Sequence, residues 1–414
     1  MTDRDLSRRE LLAGAAGVIG GVVLGGVPTT AIAQQLAAPL PPIPVDPTKV
    51  QGAPTSAVGS RSRFVTAVRS PTGAVTGSSL TPLHQLTGTI TPADLHFERH
   101  HAGVPSIDPA RHSLMVHGMV ERPMVFSMED IKRFPQVTRT YFIECSGNGR
   151  AAYREPKPEM TAQEVAGMTA QSEWTGVLLK QLFAEAGTKP NASWFLAEGG
   201  DACLMTRSIP MQKAMDDALV VWAQNGESLR PEQGFPLRLL VPGWEGNANV
   251  KWLRRIEVGA APWMTRWETS KYTDPLPDGT ARQFSFDLDA KSIITSLSFP
   301  ATITKGSWPI SGIAWSGRGV IRRVEISTDG GGAWRDAELQ GTPLSKAHVR
   351  FMFPWRWDGR ESTMLSRATD ETGYVQPTRA ALVKVRGIGT DFHFNAIAGW
   401  RVTADGRVFF HGDT

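Results

Sequence analysis

The sequence predicts an α+β domain followed by a β-sandwich of immunoglobulin-like size. Residues 94–267 alternate strand-like runs (113–116, 140–143, 237–241) with short helical ones (128–133, 178–186, 211–216), a mixed order of the α+β kind. Residues 293–385 have another texture: about seven short β-rich runs at sandwich spacing. They are separated by turn signals such as Asp329-Gly330-Gly331-Gly332 and Asp370-Glu371-Thr372-Gly373. Only two cysteines, Cys145 and Cys203, occur in 414 residues, so this sandwich has no Cys pair of its own to staple it.

Taken in order, residues 1–33 read as a targeting peptide. Ser7-Arg8-Arg9-Glu10-Leu11-Leu12 opens a Gly/Ala-rich apolar run, and Ala31-Ile32-Ala33 supplies a small-residue cleavage site, the pattern of a twin-arginine export signal. The run is too short and too glycine-rich for a membrane span, and no second hydrophobic span follows, so the expectation is a soluble periplasmic protein that carries a cofactor. Residues 34–93 are rich in Pro, Gly, Ser and Thr and read as an extended surface arm with little regular structure. The α+β domain occupies 94–267. A linker at 268–290 holds Pro275, Pro277 and Gly279; the sandwich covers 291–386 and a tail with aromatic anchors covers 387–414.

Composition excludes several classes. Lysine plus arginine number 44 against 40 acidic residues, a net charge of +4 without a like-charge run long enough for a nucleic-acid arm. Hydrophobic residues at 41% with charged residues at 20% exclude a disordered chain. Two cysteines exclude a four-Cys zinc site, and neither sits in a CxxCH haem attachment.

Three constellations could do chemistry. Six of the nine histidines lie between His84 and His117, densest at His96-Phe97-Glu98-Arg99-His100-His101. HExxH is absent, and Arg99 beside the histidines suits an anion better than a cation; scattered solvated histidines are the bland alternative. Glu144-Cys145-Ser146-Gly147-Asn148-Gly149-Arg150 delivers a cysteine from a β-rich run into a tight turn, with an arginine near enough to favour its thiolate. Such a thiolate is a nucleophile or a soft-metal ligand, and no partner histidine for a cysteine protease can be assigned. Arg238, Lys251, Arg254 and Arg255 flank an apolar run and a glycine-containing loop. With Arg99, His101 and Arg150 they outline a basic pocket for a phosphate-bearing or oxyanion ligand, against the alternative of a solvated basic edge.

Several motifs in one order then carry a family resemblance. Arg99-x-His101, Glu144-Cys145-Ser-Gly-Asn, Trp174-Thr175-Gly176-Val177, Ser208-Ile209-Pro210, Asn225-Gly226-Glu227, Gly234-Phe235-Pro236-Leu237-Arg238, Val250-Lys251-Trp252-Leu253 and Arg323-Val324-Glu325-Ile326-Ser327 resemble the sulfite oxidase family of molybdenum enzymes. The export signal, Thr269-Ser270-Lys271-Tyr272-Thr273-Asp274 and the Trp400-Arg401-Val402 tail resemble most the SoxC-type molybdenum subunit of sulfane dehydrogenases, from the Sox thiosulfate-oxidising system.

The resemblance implies a molybdopterin-binding domain followed by a dimerisation sandwich, with one molybdenum per chain. It places Cys145 as the molybdenum ligand. Arg99, His101, Arg238 and Lys251 fall on pterin-holding positions, with Asn249 and Val250 contributing. Arg150, Arg323 and Tyr272 fall on the oxyanion substrate site, and Arg99 faces both ligands. There are departures: a pterin-contacting His of animal members is Gln233 here, a pterin-contacting Asp falls on Gln181, and the substrate-site Trp has no equivalent between Arg150 and Trp174. Amides still donate and accept hydrogen bonds. The altered mouth fits a substrate other than free sulfite.

The implied reaction is a two-electron oxidation of sulfane sulfur on a carrier protein, inside a hetero-oligomer containing a homodimer of this chain. Because the chain has no CxxCH and no cytochrome b5-like segment, the haem is expected on a separate c-type cytochrome subunit. The alternatives are a periplasmic sulfite dehydrogenase and a non-catalytic exported binding protein.

Overall fold

The computed structural model describes residues 51–414, so the export signal and the first part of the arm lie outside the described residues. Residues 51–62, which belong to a unit separate from the rest, are exposed and hold no helix or strand. Everything below concerns residues 63–414.

Two five-stranded sheets build the first domain. One is ordered Glu227–Ser228, Leu219–Gln224, Thr169–Leu178, Val137–Glu144, with Arg238–Leu240 also paired to Leu219–Gln224. The other is ordered Met124–Ser127, Ser113–Gly118, Leu253–Gly259, Trp194–Gly199, Thr206–Pro210, and is antiparallel except where Ser113–Gly118 runs parallel to Leu253–Gly259. Leu114, Val116, Phe195, Leu239 and Ile256 from these strands meet Leu179, Leu182 and Phe183 of the helix Leu179–Ala186 in one buried core. The short helix Met128–Arg133 starts where the pattern puts it, because Ser127 and Asp130 form a reciprocal capping box.

The sandwich pairs a four-stranded sheet (Lys291–Ile294, Gly306–Trp315, Val349–Trp357, Glu338–Gln340) with a five-stranded one. The second sheet contains Arg335–Asp336, Ile321–Ser327, Ser362–Asp370, Gly399–Val402 and Val408–His411. Trp315, Phe351, Trp400 and Met364 fill the space between the sheets. The core does not stop at the domain boundary: Phe142, Met160, Val165 and Ala166 of the first domain belong to the same apolar cluster.

Three segments differ from their sequence reading. Residues 381–385, read as β-rich, lie in the helix Arg379–Arg386, which starts where the Thr378 hydroxyl accepts from the Ala381 amide. That cap and the burial of Leu382 and Arg386 outweigh the β-preference of the two valines. The aromatic tail supplies the last two strands of the five-stranded sheet, Gly399–Val402 pairing with Ser362–Asp370 and Val408–His411 forming the edge. Within the arm, Ser70–Gly73 and Gly77–Leu80 form a hairpin whose second strand pairs with Glu98–His100, setting Ser78 opposite Arg99. No helix among the described residues is long and apolar enough to cross a membrane.

Candidate active site

Cys145 leaves the strand Val137–Glu144 at its buried end and enters a turn closed by the Asn148 amide donating to the Cys145 carbonyl at 2.9 Å. Gly149, at φ +100°, caps the helix Arg150–Arg154 in the left-handed region. A second loop, Glu245-Gly246-Asn247, packs on this turn backbone to backbone. A Cβ on Gly246 would lie 2.8 Å from the Glu144 carbonyl oxygen, so only glycine allows the approach.

Behind the turn, Glu144 is buried and accepts from three donors: Asn148 Nδ2 at 2.8 Å, Lys291 Nζ at 2.9 Å and Trp315 Nε1 at 2.6 Å. Lys291 and Trp315 belong to the sandwich, so the second domain holds the Cys145 turn in place.

The Cys145 thiol stands where two cavities meet. An inner pocket of about 80 Å³ is lined by the predicted residues Arg99, His101, Cys145, Gln233, Arg238, Asn249, Val250, Lys251 and Tyr272. An outer cavity of about 740 Å³ shares Arg99, His101, Cys145 and Tyr272 with it and adds Arg150. The predicted histidine cluster is divided by function. His96 stacks in the interior on Phe97, His100 bonds Glu98 at 2.8 Å, and His101 Nε2 lies 3.0 Å from the Tyr272 hydroxyl.

Two cations of the inner pocket are buried without an ion-pair partner among the described residues. Arg238 is 4% exposed; it donates to the Gln233 carbonyl and side-chain oxygens, each at 3.1 Å, and its Nε has no partner. Lys251 Nζ meets His100 Nδ1 at 2.7 Å and the carbonyls of Arg99 and Glu232 at 3.2 and 3.0 Å. Among the described residues no carboxylate lies within ion-pair distance of either cation. Burial, reinforced by Arg238, holds the Lys251 ammonium well below its ordinary pKa. A buried guanidinium and a buried lysine that no carboxylate pairs suit an anion such as a phosphate, which would also favour the charged form of Lys251.

Burial and the nearby Arg99 push His101 down to about 4, so it is a neutral imidazole at physiological pH. Burial raises the Tyr272 phenol, which stays protonated. Burial also raises the Cys145 thiol, opposed by the Gly147 amide and by Arg99 and Arg150.

Two predicted residues are elsewhere. Arg323 lines neither cavity: it sits on the outer face of Ile321–Ser327, half exposed, paired with Asp336 and with Glu325 at 3.1 Å. Strand alternation decides this, since Val324 and Ile326 take the core face. Gln181 lies on the helix Leu179–Ala186, whose apolar face packs into the core of the first domain, and it lines neither cavity. Asn249 lines the pocket but its side chain is committed to the loop, accepting from the Val241 amide at 2.7 Å and donating to the Glu245 carbonyl at 3.0 Å.

The sequence reading missed Asp201 and Asn247 in the inner pocket, and Cys203, Lys271, Asp391 and Phe392 around the outer one. Asp201 accepts from the Cys203 thiol at 2.8 Å, and the thiol is pushed up to about 12, mainly by burial. Asp391 and Phe392 come from the tail, after the sandwich, and carry no local motif.

Residues 101–267 match the family model "Oxidoreductase molybdopterin binding domain" and residues 282–398 match "Mo-co oxidoreductase dimerisation domain". The chain is 30% identical to chicken (Gallus gallus) sulfite oxidase over 328 residues, covering 72% of this chain and 71% of that protein. The chain belongs to the sulfite oxidase family. Rat (Rattus norvegicus) mitochondrial sulfite oxidase is 31% identical over 327 residues, and the match spans 72% of this chain but 59% of the rat protein. Among solved structures, the sulfane dehydrogenase SoxCD from Paracoccus pantotrophus is similar at a TM-score of 0.86 and 43% identity, over 93% of this chain and 99% of that one. As a sulfite oxidase family member, the chain has a donor set that fits a molybdopterin: one soft thiol beside buried cations that no carboxylate pairs, with Arg238 Nε unpartnered.

Proposed function

We propose that this chain is the molybdenum subunit of a periplasmic sulfane dehydrogenase. The observation that carries the reading is Cys145 at the junction of an anion-seeking inner pocket and an arginine-lined outer cavity. Arg238 and Lys251 would hold the phosphate of the pterin, and Cys145 would ligate its metal. When bound, this cofactor supplies two-electron oxidation of sulfur.

The chain does the rest. Arg99 and Arg150 face the outer cavity and hold the negative sulfur–oxygen groups of substrate and product. Burial keeps the Tyr272 phenol protonated, and its hydrogen bond with neutral His101 fixes the orientation of the hydroxyl at the outer cavity. An outer cavity of about 740 Å³ exceeds what a free sulfite ion fills and suits a sulfane carried on a protein arm. Similarity to a sulfane dehydrogenase over nearly the whole chain points the same way.

Export by the twin-arginine route, a homodimer through the sandwich, and electron transfer to a separate c-type cytochrome complete the proposal. Resemblance to sulfite oxidases favours free sulfite as the second reading. Steady-state assays comparing sulfite with carrier-bound sulfane, with and without the cytochrome, separate them. Higher kcat/KM for the carrier and dependence on added cytochrome support the proposal. Preference for sulfite, or full activity of the isolated chain toward cytochrome, overturns it.

A further inference from the structure

His393 lies in the tail beyond the helix Arg379–Arg386, 248 residues from Cys145 in sequence, yet it touches the loop that carries that cysteine. Its amide donates to the carbonyl of Ser146 at 2.8 Å, and its backbone takes φ +64°, in the left-handed region. A non-glycine residue is held there only when its surroundings over-determine it.

The side chain does that. It is 4% exposed, and Nε2 meets Glu245 Oε1 at 2.8 Å. The other oxygen of Glu245 accepts from Asn247 Nδ2 at 3.2 Å, and that amide also reaches the Ser146 hydroxyl at 3.2 Å. The same oxygen lies 3.6 Å from the guanidinium of Arg207, a residue 1% exposed. Arg207 is centred 5.0 Å from the Tyr272 ring centroid. A string of buried groups therefore runs from the tail through Glu245 and Arg207 to the substrate-side tyrosine, with a branch to the cysteine turn. Just before His393, Phe392 packs 5.3 Å from the Tyr272 ring, and the Asp391 carbonyl accepts from Arg150 at 2.7 Å.

We propose that His393 is a positioning residue for sulfur oxidation: through Glu245 it pins the tail to the Cys145 turn and, through Arg207, fixes Tyr272 over the outer cavity. The inference rests on the functional reading above for its kinetic arm only. It explains why a carboxylate, a guanidinium and an imidazole are buried together where an apolar cluster would cost less desolvation.

The test uses the full chain with bound cofactor, as wild type, His393→Phe, His393→Gln, Tyr272→Phe and the double variant His393→Phe/Tyr272→Phe. Molybdenum per chain, kcat and KM for whichever of carrier-bound sulfane and sulfite the wild type oxidises, and the Mo(V) spin-resonance signal generated with titanium(III) citrate are measured. His393→Phe should load molybdenum as wild type does, shift the Mo(V) signal and lower kcat about tenfold or more with less change in KM. Glutamine, which can still donate to Glu245, should recover most of both. In the Tyr272→Phe background the further loss should shrink to about twofold or less, as expected for coupled residues.

Equal effects in the two backgrounds, equal impairment by Gln and Phe, or an activity loss that only tracks lost molybdenum would overturn the assignment. If the molybdenum-loaded wild type oxidises neither sulfite nor carrier sulfane, the functional reading fails. The titanium-generated signal then still decides on His393: an unchanged signal in His393→Phe rejects it. Should that variant not fold, Glu245→Gln replaces it, with the same signal shift expected and an unshifted one counting against.

Discussion

Replacing Glu144 with leucine strikes the joint between the domains. The carboxylate has 5% of its side chain exposed, and its lysine partner Lys291 has 8%. Leucine leaves the Lys291 ammonium with only the Asn148 carbonyl at 3.1 Å, and the Trp315 indole N–H with no acceptor. Stranding one partner of a buried pair costs about 3–5 kcal/mol, and an unsatisfied buried N–H adds about 1–3 kcal/mol. The two costs share one site and do not add fully, so Glu144→Leu should lose about 4–6 kcal/mol. Glu144→Leu/Lys291→Met removes the stranded charge and should return at least about 2 kcal/mol of that. Urea unfolding followed by tryptophan fluorescence reads both variants, with molybdenum content measured alongside because Cys145 is the next residue. If the double variant is no more stable than the single one, the buried pair is not what joins sandwich to turn.

Three further outcomes follow from the site. Arg323→Ala and Gln181→Leu should each leave kcat within about twofold, because neither residue reaches a cavity; a large loss in kcat would restore their sequence-based assignment. Arg238→Met should fold yet purify with little molybdenum, since methionine fills the space without its charge, and full loading would remove Arg238 from the phosphate site. Stability should fall on acidification. Burial pushes His96 and His348 down to about 3, each from 6.5. Between pH 6.5 and those values the unfolded chain takes up protons that the folded chain refuses, costing up to about 1.4 kcal/mol per histidine per pH unit. His348→Gln should flatten the decline of the melting temperature between pH 6.5 and 4.5, and an unchanged slope would contradict the assignment.

The parts of the site legible in the sequence are those written in short local runs. Cys145 with its Ser-Gly-Asn turn, Arg99-x-His101 and Val250-Lys251 each sit within a few residues of the backbone that positions them. Arg323 falls outside both cavities because its motif belongs to a sandwich strand, where alternation, not the motif, sets which side chain faces out. His393, Glu245 and Arg207 stayed hidden for the opposite reason. They share no local pattern, and only the return of the tail across the first domain brings an imidazole to a carboxylate 148 residues away. The hairpin at 70–80 was masked by Pro, Gly and Ser, which signal turns but say nothing of the partner strand Glu98–His100 that gives the hairpin its place.

The central claim is that Cys145 ligates a molybdenum centre that takes electrons from sulfur. It is tested most directly by Mo(V) spin resonance on the anaerobic protein after adding carrier-bound sulfane or sulfite, with no other reductant. The account predicts a Mo(V) signal in the wild-type chain, and in Cys145→Ser a lost or altered signal with turnover abolished. A molybdenum-loaded wild type that stays silent with both substrates, or a Cys145→Ser variant with the wild-type signal and normal turnover, would contradict it.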